Sequence, residues 1–120
     1  MIVLVDTSVW IDHLKEGNDR LAELLDKGGV CCHWFVIGEL ACGTLHNRSE
    51  VLRLLSALPA APLADHEEVL SFIAERKLAG RGLGWIDMHL LASALLANCP
   101  LWTFDKALAA VAVELKLASN

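Results

Sequence analysis

Short, uninterrupted apolar runs alternate along this chain with longer stretches in which apolar residues recur every three or four positions. Residues 2–5 form a wholly apolar, β-branched run, the pattern of a strand buried on both faces. Asp6 ends that run, and Thr7 or Ser8 is placed to cap a first helix carrying Trp10 and Leu14. Asn18 caps a second helix with Leu21, Leu24 and Leu25 on one face, stopped by Gly28 and Gly29. Residues 30–33 predict a second strand and residues 36–42 a helix. Asn47 and Glu50 stand at capping-box spacing before a helix that Pro59 closes.

Residues 61–64 predict a third strand from a short apolar run alone. Asp65 and Glu68 repeat the capping-box spacing, opening a long helix that fades at Gly80. Residues 86–98 predict a helix with Met88, Leu91, Ala92 and Leu95 in one stripe. Residues 101–104 predict a further buried strand, and Asp105 opens a last helix with Leu108, Val111 and Leu115 inward. Nothing beyond it has the pattern of a strand. Strands alternating with amphipathic helices predict an α/β sandwich, a short central parallel sheet flanked by helices, in one domain over residues 1–120.

Composition sharpens this picture. The chain is 55% hydrophobic with a mean hydropathy of +0.46. No stretch reaches the roughly 20 uninterrupted apolar residues of a membrane span, so the excess points to apolar surface for a partner rather than to a membrane. The N-terminal run lacks the basic flank of a signal peptide. Cys31, Cys32, Cys42 and Cys99 show no CxxC pairing or His spacing for zinc. Reduced thiols and a cytoplasmic protein are the expectation. A net charge of −5 argues against indiscriminate nucleic-acid binding, but not against a nuclease whose bound cations supply the positive charge.

Four carboxylates occupy informative places. Asp6 and Asp105 each follow an apolar strand, at the edge where ligands sit in parallel sheets. Glu39 follows the second strand and Asp87 lies in a first helical turn. Each taken alone is equally well a helix cap or a residue suited to the helix dipole. Glu39 and Asp87, however, stand in apolar segments devoid of Lys and Arg, where an ionised carboxylate needs a compensating charge. A metal ion answers that need, and hard oxygen ligands favour Mg²⁺ or Mn²⁺ over zinc.

The ordered segments DTSVWID, IGELACG, GWIDMHLLASALL and LWTFDKAL resemble a PIN domain, specifically VapC-type toxins of bacterial and archaeal toxin–antitoxin pairs. The resemblance covers essentially the whole chain. It implies a PIN-like three-layer sandwich and a Mg²⁺-dependent ribonuclease that leaves a 5′-phosphate and a 3′-hydroxyl. Asp6, Glu39, Asp87 and Asp105 then correspond to the family's acidic metal-binding quartet. Thr103 takes the hydroxyl position two residues before the last Asp, and Thr7-Ser8 the hydroxyl-bearing turn after the first strand. The implied partners are RNA, a VapB-type antitoxin and a second copy of the chain. Absence of a C-terminal strand is the departure from the family pattern.

Other residues admit two readings. Thr103 orients a carboxylate, or is an ordinary β-branched strand residue. Trp10, Trp34, Trp85 and Trp102 are base-stacking or partner surface, or core; Trp10 is the candidate anchor for an antitoxin on the first two helices. His13, His33, His46, His66 and His89 form no motif, and His89 is two residues from Asp87, on a different helical face. Arg76, Lys77 and Arg81 guide RNA phosphates or simply offset a helix dipole. Gly80, Gly82 and Gly84 precede a helix but follow a helix too, which argues against a dinucleotide site. The rival functions are a housekeeping PIN nuclease and a flavodoxin-like receiver module. The receiver would need an acidic pair in the first strand, and residues 2–5 contain none.

Overall fold

In the computed structural model, which describes residues 2–119, three parallel strands make the centre: β1 (Val3–Val5), β2 (Val30–Cys31) and β3 (Leu101–Trp102). Their order is β2-β1-β3, with Leu4 facing Cys31 on one side and Leu101 on the other. Successive residues of β1 point to opposite faces and all are buried, so both faces of the sheet are covered. Single bridges extend the sheet at each edge, Cys32 to Ala60 and Leu101 to Ala118.

Those two bridges correct two expectations. The run at 61–64 is not a strand; pairing is confined to Ala60, between Pro59, whose carbonyl accepts from Cys32, and Ala61, which donates to the Cys32 carbonyl. Conversely, chain beyond the last helix does join the sheet, with Leu101 N–H donating to the Leu117 carbonyl at 2.7 Å. Pairing this short leaves no periodicity to recognise.

Among the described residues seven helices cover the sheet: α1 (Thr7–Glu16), α2 (Asp19–Asp26), α3 (Trp34–Cys42), α4 (Arg48–Ala57), α5 (His66–Glu75), α6 (Trp85–Ala97) and α7 (Lys106–Glu114). Packing of α1 on α3 and α3 on α4 makes one group, and α5 on α6 another, as a three-layer α/β sandwich requires. Asp6, not Thr7 or Ser8, caps α1. His33 caps α3 through Nδ1, which accepts the Phe35 N–H at 2.9 Å and lets that helix begin at Trp34 rather than Val36.

The box at Asp65 and Glu68 forms in full. The one expected at Asn47 does not, because Asn47 is left-handed (φ 54°, ψ 46°) and its side chain makes no cap hydrogen bond. Helix α5 stops at Glu75, short of Gly80, with Lys77 in the left-handed region. In α6, consecutive residues from Met88 to Ala94 are buried, so it is a core helix apolar all round rather than a one-stripe helix. Cys31, Cys32 and Cys99 are buried free thiols, packed as small apolar side chains.

Trp10 is 3% exposed and belongs to the core, as do Val9 and Leu21. An anchoring role for Trp10 on a partner surface is therefore wrong. Ile11 and Leu14, on the outer face of α1, are the exposed apolar residues instead.

Candidate active site

Asp6 emerges from the central strand at its carboxyl end and is almost wholly buried, at 6% exposure. Its Oδ2 accepts from the hydroxyls of Ser8 and Thr103, each at 2.7 Å, and weakly from the Ser8 N–H. Thr103 leaves β3 beside it, and its Oγ1 also accepts the Asp105 N–H at 3.0 Å. Ser8 Oγ lies 3.3 Å from Thr103 Oγ1 and accepts the Phe104 N–H at 3.0 Å. Hydroxyls thus stitch the turn after β1 to the turn after β3, and the orienting reading of Thr103 is the one its contacts support.

The other three carboxylates are also fixed locally. Glu39 Oε1 accepts from the Thr7 hydroxyl at 2.6 Å, tying α3 to the start of α1. Asp87 Oδ2 accepts the Gly84 N–H at 2.9 Å, closing the first turn of α6. Asp105 Oδ1 accepts the Leu108 N–H at 2.9 Å and caps α7. Burial raises the Asp87 carboxyl above the usual carboxylate range. The Gly84 N–H opposes that shift, and the charges of Asp6, Asp105 and Glu39 add to it. Asp87 thus feels the repulsion of the other three carboxylates.

A common feature emerges. In each of the four, one oxygen holds the side chain in place while the other accepts no hydrogen bond among the described residues. None of the ion pairs among the described residues involves them; Lys27–Glu23, Arg53–Glu50 and Arg81–Glu114 lie elsewhere. Free oxygens on mutually repelling, cation-free carboxylates are the donor set a hard divalent cation takes. As the side chains stand, no three acidic, His or Cys groups among the described residues converge on one point, so holding an ion requires them to turn inward. Glu39 and Asp105 are exposed and have room to do so. Exposure of Glu39 overturns its expected burial: Val36 and Leu40 face the core while Glu39 looks out.

The remaining candidates separate clearly. Of the basic cluster, Arg81 pairs with Glu114 on α7, and both side chains are exposed. Gly80 and Gly82 adopt positive φ and lead the chain to Gly84, the N-cap of α6. Three of the five histidines do assemble: His33 and His89 pack with Phe35, and His89 and His66 with Trp85, while His13 packs with Trp10. The i,i+4 spacing of Trp85 and His89 was the one sequence signal for it. Beside Glu39 lies a groove of about 540 Å³ lined by Ile11, Leu14, Leu40, Leu45 and Val51, with Lys15 and His46 at its polar side.

The chain is 48% identical over 114 residues to Ribonuclease VapC32 of Mycobacterium tuberculosis, covering 94% of this chain and 92% of that protein. It is 33% identical over 108 residues to Ribonuclease VapC1 of Methanocaldococcus jannaschii, covering 87% and 76% respectively. Residues 3–114, from the first strand through the last helix, match the PIN domain family. With acidic residues at the strand ends of a parallel α/β sandwich and the family's pattern running through nearly all of it, this chain belongs to the PIN domain family.

Proposed function

We propose that this protein is a Mg²⁺-dependent endoribonuclease, the VapC-type toxin of a toxin–antitoxin pair, working in the cytoplasm. The observation that carries the reading is the carboxylate quartet, each member anchored by one oxygen with the other left for a ligand. Asp6, Glu39, Asp87 and Asp105 would hold the ion, Mg²⁺ or Mn²⁺, which when bound would supply Lewis-acid chemistry: activation of water and stabilisation of charge at the scissile phosphate. The protein's own contribution is placement. Ser8 and Thr103 fix the Asp6 carboxylate and Thr7 fixes Glu39, so Asp6 presents its free oxygen from a rigid strand end. Both relatives are named ribonucleases, which supports RNA as the substrate.

A VapB-type antitoxin segment docks in the groove between Ile11, Leu14, Leu40, Leu45 and Val51, whose edge includes Glu39. Occupying it brings the inhibitor to the rim of the carboxylate edge. Self-association as a homodimer belongs to the same reading, supported by exposed apolar side chains such as Leu54, Leu96 and Val113. Purified protein incubated with total RNA in Mg²⁺ and in EDTA tests the activity; cleavage in Mg²⁺ alone is expected, and cleavage unaffected by EDTA would reject the metal.

A further inference from the structure

Four rings form a continuous row beside the carboxylates. Phe35 meets His89 at a centroid separation of 4.8 Å, His89 meets Trp85 at 4.7 Å, and Trp85 meets His66 at 5.1 Å. The first two contacts are edge-to-face and the third tilted, so neighbouring rings hold each other in place. His33 backs the row from the core, 5.0 Å from Phe35. Phe35 is 38% exposed, Trp85 39%, and His66 is exposed as well, while His89, which links Phe35 to Trp85, is buried.

Its position is specific. Phe35 stands one turn before Glu39 on α3, and Trp85 and His89 flank Asp87 on α6. Phe35 and Glu39, four residues apart, share one face of α3, while Asp87 lies between Trp85 and His89 in sequence but on another face of α6, and His66 opens α5. None of those carboxylates is paired with a Lys or Arg among the described residues. Base stacking needs no such charge and is tolerant of sequence, because every base has a π-face. Imidazoles within the row add ring edges that donate and accept hydrogen bonds.

We infer that the Phe35–His89–Trp85–His66 row is a stacking platform for unpaired RNA bases next to the scissile phosphate. This rests on the ribonuclease reading. A strand crossing the carboxylate edge would lay a flanking base against Phe35 or Trp85, placing its backbone over Glu39 and Asp87. Bases in a duplex have no free face to offer, so what these rings would meet is an unpaired base.

The test measures binding of the intact protein to a short single-stranded RNA made non-cleavable at each phosphate, and to the same backbone with abasic sugars. Wild type should prefer the base-bearing strand by about tenfold or more. Phe35→Leu and Trp85→Leu should each lose most of that preference with affinity for the abasic strand unchanged, while Trp85→Phe retains it. Melting shifts with Mg²⁺ should be the same in all four proteins, showing an intact fold and carboxylate edge. Leucine variants that discriminate as wild type does would overturn the platform. So would a Leu variant that altered only sedimentation, which would make the row a contact between copies. A wild type that binds and prefers bases yet cuts no RNA in Mg²⁺ would instead reject the nuclease reading itself.

Discussion

Thr103 Oγ1 donates to Asp6 Oδ2 at 2.7 Å across 97 positions of sequence, joining the ends of two adjacent parallel strands. The same hydroxyl accepts the Asp105 N–H, so one side chain sets the position of two candidate ligands. Thr103→Val keeps the shape and removes both hydrogen bonds. It should lower cleavage or Mg²⁺ affinity by about 10–100-fold and stability by about 1 kcal/mol. Thr103→Ser should restore most of the activity. Mg²⁺ titrations of the cleavage rate distinguish these; a Val variant with the wild-type Mg²⁺ dependence would reduce Thr103 to a strand residue.

Trp10 and Leu14 lie one helical turn apart on α1 and should behave oppositely. Trp10→Ala empties a core site and should cost about 3–5 kcal/mol of stability in denaturant unfolding. Leu14→Asp alters an exposed groove position and should change stability by no more than about 0.5 kcal/mol. Antitoxin-peptide affinity should fall sharply in the Leu14 variant. Wild-type affinity there would move the docking site elsewhere.

His33 couples stability to pH. Burial first, then the neighbouring His89, lower its imidazole from 6.5 to about 4. Between those values the unfolded chain binds a proton that the folded chain refuses. His33 therefore contributes stability in full above about 6.5, and it is lost as pH falls toward 4, by about 3 kcal/mol at most. His33→Asn keeps a good helix cap without a titrating ring. Its unfolding free energy should fall less steeply than that of wild type from pH 6.5 to 4. Parallel curves would assign the acid sensitivity to other groups.

Local chemistry explains what was legible in the sequence. Asp6 and Asp105 follow apolar strands, so the strand pattern located both at once. The capping box at Asp65 was readable because its spacing and its extended cap agree, whereas Asn47 has the spacing but a left-handed backbone. Trp10 misled because α1 carries apolar residues on two sides, one facing the core and one the groove, and composition does not rank them. Glu39 misled through apolar neighbours that turn the other way. The ring row and the Ala118 bridge depend on contacts between distant segments, which no local periodicity records.

Cleavage of one defined single-stranded RNA by wild type and by Asp87→Asn, in Mg²⁺ at matched concentration, bears most directly on the carboxylate quartet. Asp87 is where burial and the charges of Asp6, Asp105 and Glu39 converge, and Asn still fits the first turn of α6. Wild type should cut, leaving a 5′-phosphate, and the folded Asn variant should lose at least about a hundredfold in rate, because one charged ligand fewer would hold and place the metal. Cutting by Asp87→Asn at the wild-type rate would contradict the quartet as the catalytic metal site.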